Sequence, residues 1–281
     1  MRIGDAKGGW ALVTGASSGI GRAFCVRLAA EGLHLVLVAR RQERLEALAA
    51  ELAARHGTQC LVLPLDLAQP RAAEKVLQRV EAAGVRVRIL INNAAFGPWG
   101  RFENTPAEEY EALVQLVAAS TVSLCRNFLP HLASFPSSAV INLSSPAAIQ
   151  PVCYKAVYAA AKAFVHQFSL ALHGEWKDRG VMVQTLVPGP TRTELDALNG
   201  AYKCKLTEKR NPPEEVVNAS LAQLSRGTPL VTTMPGLYRQ RLFAGLFPIR
   251  MIIRVVEDKF RPPAPKKDGL PITASCLEVS R

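Results

Sequence analysis

The chain has 281 residues, 49% of them apolar and 20% charged, an ordinary globular composition with material for one large α/β domain or two small ones. Its net charge of +11, from 34 basic and 23 acidic side chains, is compatible with nucleic acid, an anionic membrane or a phosphorylated ligand and does not choose among them. Fourteen of the basic and seven of the acidic side chains lie in 200–281, so most of the excess sits in the last third, where a solvated basic surface is expected.

Several classes are disfavoured. The six cysteines (Cys25, Cys60, Cys125, Cys153, Cys204, Cys276) form no CxxC pair, and the five dispersed histidines read as surface or packing residues. No metal site is therefore expected. Residues 1–10 lack an apolar signal core, and no apolar run approaches the ~20 residues of a membrane span. Reduced thiols in a cytoplasmic protein are the simplest expectation. No motif or aromatic–basic interleaving supports nucleic-acid binding.

In chain order, short apolar runs alternate with longer helical patterns. Strands are predicted at 11–13, 33–38, 60–65, 87–91, 139–143 and 181–187, with a last one at Leu230-Val231. The first six are apolar on both faces, as in a parallel sheet covered on both sides. Helices are predicted over 41–55, from a Thr105 cap with Pro106 in the first turn to about Leu129, over 154–177 and over 214–225. The alternation predicts an α/β fold, a Rossmann-like doubly wound parallel sheet with ligands at the carboxyl ends of its strands. Residues 188–212 read as a long loop, a candidate lid. One domain is expected over 1–235, with an apolar and basic extension over 236–261 and a flexible tail over 262–281.

The turn Thr14-Gly15-Ala16-Ser17-Ser18-Gly19-Ile20-Gly21 lies between the first strand and the first helix. Glycines there let backbone approach a ligand, and the helix N-terminus offers free N–H groups to a pyrophosphate. At the end of the second strand an acid would hold a ribose hydroxyl, whereas Arg accommodates a 2′-phosphate. Here Arg40 and Arg41 follow Ala39, no acid appears before Glu43, and Arg22 adds a further positive charge. Charge complementarity favours NADP(H).

Tyr158-Ala159-Ala160-Ala161-Lys162 places a phenol and an ammonium on one helix face. A phenol of pKa ~10 exchanges protons poorly near neutrality. A neighbouring cation is expected to lower that value, so that Tyr158 serves as general acid or base.

These motifs occur in order with Asn92-Asn93-Ala94-Ala95, Ser144-Ser145 and Pro188-Gly189 at the ends of strands four, five and six. Over about residues 8–235 the chain resembles the short-chain dehydrogenase/reductase family in its single-domain form. The resemblance implies that Ser145, thirteen residues before Tyr158, hydrogen-bonds the substrate oxygen, and that Lys162 also holds the nicotinamide ribose. It implies a phosphate turn lined by Gly15, Ser17, Ser18, Gly19, Ile20 and Gly21. Asp66 and Leu67 would lie beside the adenine, Asn93 and Ala94 along the adenosine, and Pro188, Gly189 and Thr193 around the nicotinamide. It also implies a homodimer or homotetramer.

One departure stands out: Val117 falls where the family usually has an Asn that kinks the helix and helps hold a relay water, thirteen residues before Pro130. Either a neighbour such as Ser120 substitutes, or the relay is impaired, or members of the family vary at this position and still work. A second, smaller departure is Pro146-Ala147-Ala148, where a Gly usually follows the Ser.

The loop after strand five (Pro146 to Tyr154) and the lid residues Leu195 and Leu198 are mostly apolar, so a lipophilic carbonyl or alcohol is expected: a 3-oxoacyl chain, a steroid-like ring or a bulky ketone. Lys203, Lys205, Lys209 and Arg210 on the lid could meet an anionic handle. Over 237–260 large apolar residues alternate with arginines; core packing or a dimer interface is the expectation, with peripheral membrane contact the sharper alternative. The functional expectation is thus an NADP(H)-dependent oxidoreductase that interconverts a carbonyl and an alcohol. The alternative is an NADP(H)-binding protein with little catalysis, acting as a sensor or partner subunit, and Val117 is what favours it.

Overall fold

A computed structural model of the chain describes residues 1–194 and 210–262. The strands are β1 Trp10–Thr14, β2 His34–Ala39, β3 Cys60–Pro64, β4 Val87–Asn92, β5 Ser138–Leu143, β6 Val181–Val187 and β7 Leu230–Thr232. They form one parallel sheet in the order β3-β2-β1-β4-β5-β6-β7. The helices are α1 Gly19–Ala30, α2 Gln42–His56, α3 Ala72–Ala82, α4 Ala107–Val114, α5 Ser120–Ala133, α6 Ala156–Trp176, α7 Pro213–Leu224, α8 Leu237–Leu246 and α9 Ile249–Phe260.

The two-sided apolarity of the strands has a direct cause. Val13, Leu35, Leu37, Ile89 and Ile141 face one way, onto α1, α2 and α7 through Phe24, Leu48 and Val217. Leu12, Val36, Leu90, Val140 and Val183 face the other way, onto α3, α5 and α6 through Val76, Phe128 and Trp176. Alternate residues of each strand thus fill two separate apolar layers. Chain order reverses between β1 and β4, and there the strand ends leave a crevice.

Local expectations needed adjustment in the helix after β4. Thr105 does not cap it: Pro106 is the N-cap, and Thr105 ends a short 3-10 turn over Phe102–Asn104. Pro130 does not stop it either. It lies inside the helix, which runs on to Ala133. Between α4 and α5 a π-turn spans Gln115–Ala119. The combined Ala107–Ala133 helix is long and apolar enough, by length and composition, to cross a membrane. The sequence reading missed this because Gln115, Ser120 and Arg126 interrupt the apolar run. In the fold α5 packs on β4 and α3 through Leu124, Phe128 and Leu132.

The segment 237–260 forms α8 and α9, joined by Phe247 and Pro248. The lid residues 195–209, with Leu195, Leu198, Lys203, Lys205 and Lys209, and the tail from 263 lie outside the described residues.

Candidate active site

The phosphate end is built by packing of backbone on backbone. Gly15 adopts a left-handed φ of +66°. At Gly21 an added Cβ would lie 2.2 Å from the Gly15 carbonyl oxygen, so only glycine lets α1 approach the turn this closely. The side chain of Ser18, at the N-cap of α1, makes no capping bond to the first N–H groups of the helix. Asn93 staples the end of β4 to this turn: its Nδ2 donates to the carbonyls of Thr14 (2.8 Å) and Gly15 (3.3 Å). The N–H groups of Asn93 and Ala94 donate to Thr14 Oγ1 at 2.9 and 3.0 Å. Behind them Asn92 Nδ2 donates to Asn142 Oδ1 (2.8 Å), and Asn142 Nδ2 donates to Ser169 Oγ (2.9 Å), tying β4, β5 and α6 together.

A cleft of about 490 Å³ runs along the strand ends. It is lined by Gly15, Ser17, Ser18, Gly19, Ile20, Arg40, Asp66, Leu67, Asn93, Ala94, Tyr158, Lys162, Pro188 and Thr193, all named from the sequence. Four other sequence candidates do not line it. Arg22 lines an adjoining pocket with Ser17, Ser18, Gly19 and Thr193, its Nη2 2.6 Å from Glu51 Oε2. Gly21 is packed beneath the turn. Gly189 donates its N–H to Thr233 Oγ1 at 3.0 Å and holds β6 against β7. Ser145 lies beside it, next to Tyr158.

Sequence reasoning passed over Arg44, Phe96 and Glu194, which also line the cleft, and weighed Arg41 only for its charge. Arg41 Nη2 donates to Ser17 Oγ (3.0 Å) and Ser18 Oγ (3.2 Å), and its Nη1 lies 2.8 Å from Glu194 Oε2. Arg44 donates to the other carboxylate oxygen of Glu194. Burial works to raise the Glu194 carboxyl, but hydrogen bonds and charge from Arg41 and Arg44 outweigh it and hold the group below the ordinary carboxylate range. The second-strand end is therefore an anion site, here filled by the chain's own carboxylate. The signal in the sequence was Arg41 at the N-cap of α2 with Arg44 in its first turn.

At the other end, Ser145, Tyr158 and Lys162 converge. The Ser145 hydroxyl accepts from the Ala147 N–H (3.2 Å) and lies close enough to the Tyr158 phenol to draw its pKa down. Lys162 is 4% exposed; its Nζ donates to the Leu143 carbonyl at 2.7 Å and lies 5.9 Å from the Tyr158 ring centre. Ser144 Oγ donates back to the Lys162 carbonyl (3.1 Å), clamping α6 to the end of β5. Burial brings the Lys162 ammonium down to about 8. The expected lowering of the phenol by its neighbour is corrected here: burial pushes Tyr158 up, and only the hydrogen bond from Ser145 opposes this. The ammonium is directed at the Leu143 carbonyl, so desolvation governs both groups. A Cβ on Gly97 would lie 2.5 Å from Tyr158 Cδ2, so that residue's lack of a side chain lets the ring occupy its place.

Val117 is buried among Phe96, Leu113, Ala161 and Val165. The helix is nonetheless irregular at this point: Ser120 N–H reaches back five residues to the Gln115 carbonyl. Ser120 does not take over an amide's bonding. Its Oγ donates to the Leu116 carbonyl (2.6 Å), as Thr121 Oγ1 does to Val117 (2.8 Å). The thiols of Cys25, Cys60, Cys125 and Cys153 are all pushed up by burial, so none is poised as a nucleophile.

A parallel sheet with a glycine turn at its crossover, and a Ser–Tyr–Lys cluster at the other end of one cleft, define a nicotinamide-dependent oxidoreductase of Rossmann-like architecture. The chain belongs to the short chain dehydrogenase family, whose model matches residues 9–202. It is 31% identical over 229 residues to the 7beta-hydroxysteroid dehydrogenase of Collinsella aerofaciens, spanning 80% of this chain and 86% of that one. It is 34% identical over 191 residues to human 17-beta-hydroxysteroid dehydrogenase type 3, which covers 67% of this chain and 61% of that one. Among solved structures, it superposes on the short-chain dehydrogenase from Sphingobium yanoikuyae in complex with NADPH with a TM-score of 0.75 at 30% identity, covering 93% of this chain and 99% of that one.

Proposed function

We propose that the protein interconverts a carbonyl and an alcohol on a lipophilic substrate with NADP(H), and that Tyr158 exchanges the proton. The observation that carries this reading is the joining, in one cleft, of a doubly cationic anion site at Arg41 and Arg44 to the Ser145–Tyr158–Lys162 cluster.

The residues present fit the cofactor. The glycine turn and the first N–H groups of α1 suit a pyrophosphate, and the guanidinium that already holds Glu194 suits a 2′-phosphate. When bound, the nicotinamide supplies or accepts a hydride at the substrate carbon. In reduction, the Tyr158 hydroxyl gives its proton to the carbonyl oxygen, and in oxidation the phenolate takes it back. Ser145 holds the phenol and, beside it, the substrate oxygen. Lys162, its Nζ held by the Leu143 carbonyl beside Tyr158, would hold the nicotinamide ribose and so set the cofactor against the phenol.

The similarity to two hydroxysteroid dehydrogenases supports a bulky apolar substrate. The test is loss of NADPH absorbance against lipophilic ketones, steroids and 3-oxoacyl thioesters, with Tyr158→Phe as control. Turnover that falls ~100-fold or more in the control supports the assignment. Undiminished turnover in Tyr158→Phe overturns it.

A further inference from the structure

Helices α8 and α9 present two contrasting faces. On the inner one, Ile252 and Val256 are buried against Val152 and Ala159, next to Tyr158. Trp99 Nε1 donates to the Phe260 carbonyl at 3.0 Å, pinning the end of α9. The outer face is uncovered. Every residue from Gly245 to Met251 is exposed, including Leu246 at 70%, Ile249 at 54% and Phe247 at 43%. Seven of the ten large apolar side chains exposed among the described residues lie between Tyr238 and Ile253, so the apolar surface is concentrated at one place. Arg239, Arg241, Arg250 and Arg254 are exposed around it, and among the described residues Arg250 and Arg254 have no acidic partner.

We propose that this helical hairpin docks on an anionic membrane surface. Leu246, Phe247 and Ile249 enter the boundary between headgroups and acyl chains, and the arginines meet the lipid phosphates. An apolar tip rimmed by cations is the pattern of an interfacial element. Scattered single apolar residues would need no such account, but a contiguous patch does. A second copy of the chain is the poorer occupant. A two-fold contact brings the same patch of both copies together, and with it the arginines of each.

The experiment is co-sedimentation of the full chain with phosphatidylcholine vesicles, with and without phosphatidylglycerol, at low and raised salt. The expected result is binding to the anionic vesicles that weakens with salt. Arg250→Gln should weaken it about fivefold. Leu246→Glu with Ile249→Glu should weaken it about tenfold or more. Both leucine and isoleucine are exposed, so unchanged melting and NADPH binding will show that the double variant is folded. Failure of the wild type to pellet with anionic vesicles at low salt overturns the proposal, as does equal pelleting of the double variant. A smaller oligomer for the double variant by light scattering, without vesicle binding by the wild type, assigns the face to a second copy instead. The readout involves no turnover, so failure of the redox reading would leave it standing.

Discussion

Replacing Lys162 by Met should make the cofactor-free protein more stable at about pH 7 while abolishing its activity. Lys162 is 4% exposed, and burial brings its ammonium from the ordinary value of 10.5 to about 8. That fall corresponds to about 3 kcal/mol against the charged form in the folded state. Below about pH 8 both folded and unfolded chains carry the proton, and the folded state bears this whole cost. Between about pH 8 and 10.5 only the unfolded chain still holds it, so the wild type gains stability as pH rises through this window. Met has no such titration. Its loss of the charge-assisted bond to the Leu143 carbonyl costs about 2 kcal/mol. The variant should therefore lead by about 1 kcal/mol near pH 7, and the lead should close before pH 10. Denaturant unfolding of the two proteins across this range measures the difference, in which all other titrating groups cancel. A variant that is less stable near pH 7, or a lead that does not change with pH, would refute the argument.

Gly97→Ala should displace the Tyr158 ring, since the new methyl falls 2.5 Å from Cδ2; steady-state kinetics should show kcat falling ~10-fold or more, out of proportion to a melting shift of a few degrees. Arg41→Ala should raise KM for NADPH by roughly tenfold to a hundredfold and leave KM for NADH little changed; equal effects on both cofactors would remove the 2′-phosphate assignment. Val117→Asn buries an amide among Phe96, Leu113, Ala161 and Val165, and should destabilise the protein by about 1–3 kcal/mol by denaturant unfolding, with no rise in kcat. A more active and no less stable variant would instead show that the relay lacks that amide.

The sequence alone determined the architecture and most of the cleft, because both rest on local chemistry. A strand buried on two faces must be apolar throughout, and a turn that brings helix and strand together needs glycine at Gly15 and Gly21. Tyr158 and Lys162 share a helix face whatever surrounds them. What only the tertiary structure decided depends on residues distant in the chain. Arg22 and Arg41 look alike in sequence. Yet Arg22 pairs with Glu51 while Arg41 faces Ser17, Ser18 and Glu194, more than a hundred and fifty positions away in the last case. The direction of the Tyr158 shift could not be read from a Lys four residues later, because burial governs it and Lys162 Nζ is directed at the Leu143 carbonyl. The 237–260 stretch shows the same limit. Alternating Arg and apolar residues specify an amphipathic segment, but only packing shows that Ile252 and Val256 are buried while Leu246 and Ile249 stand in solvent.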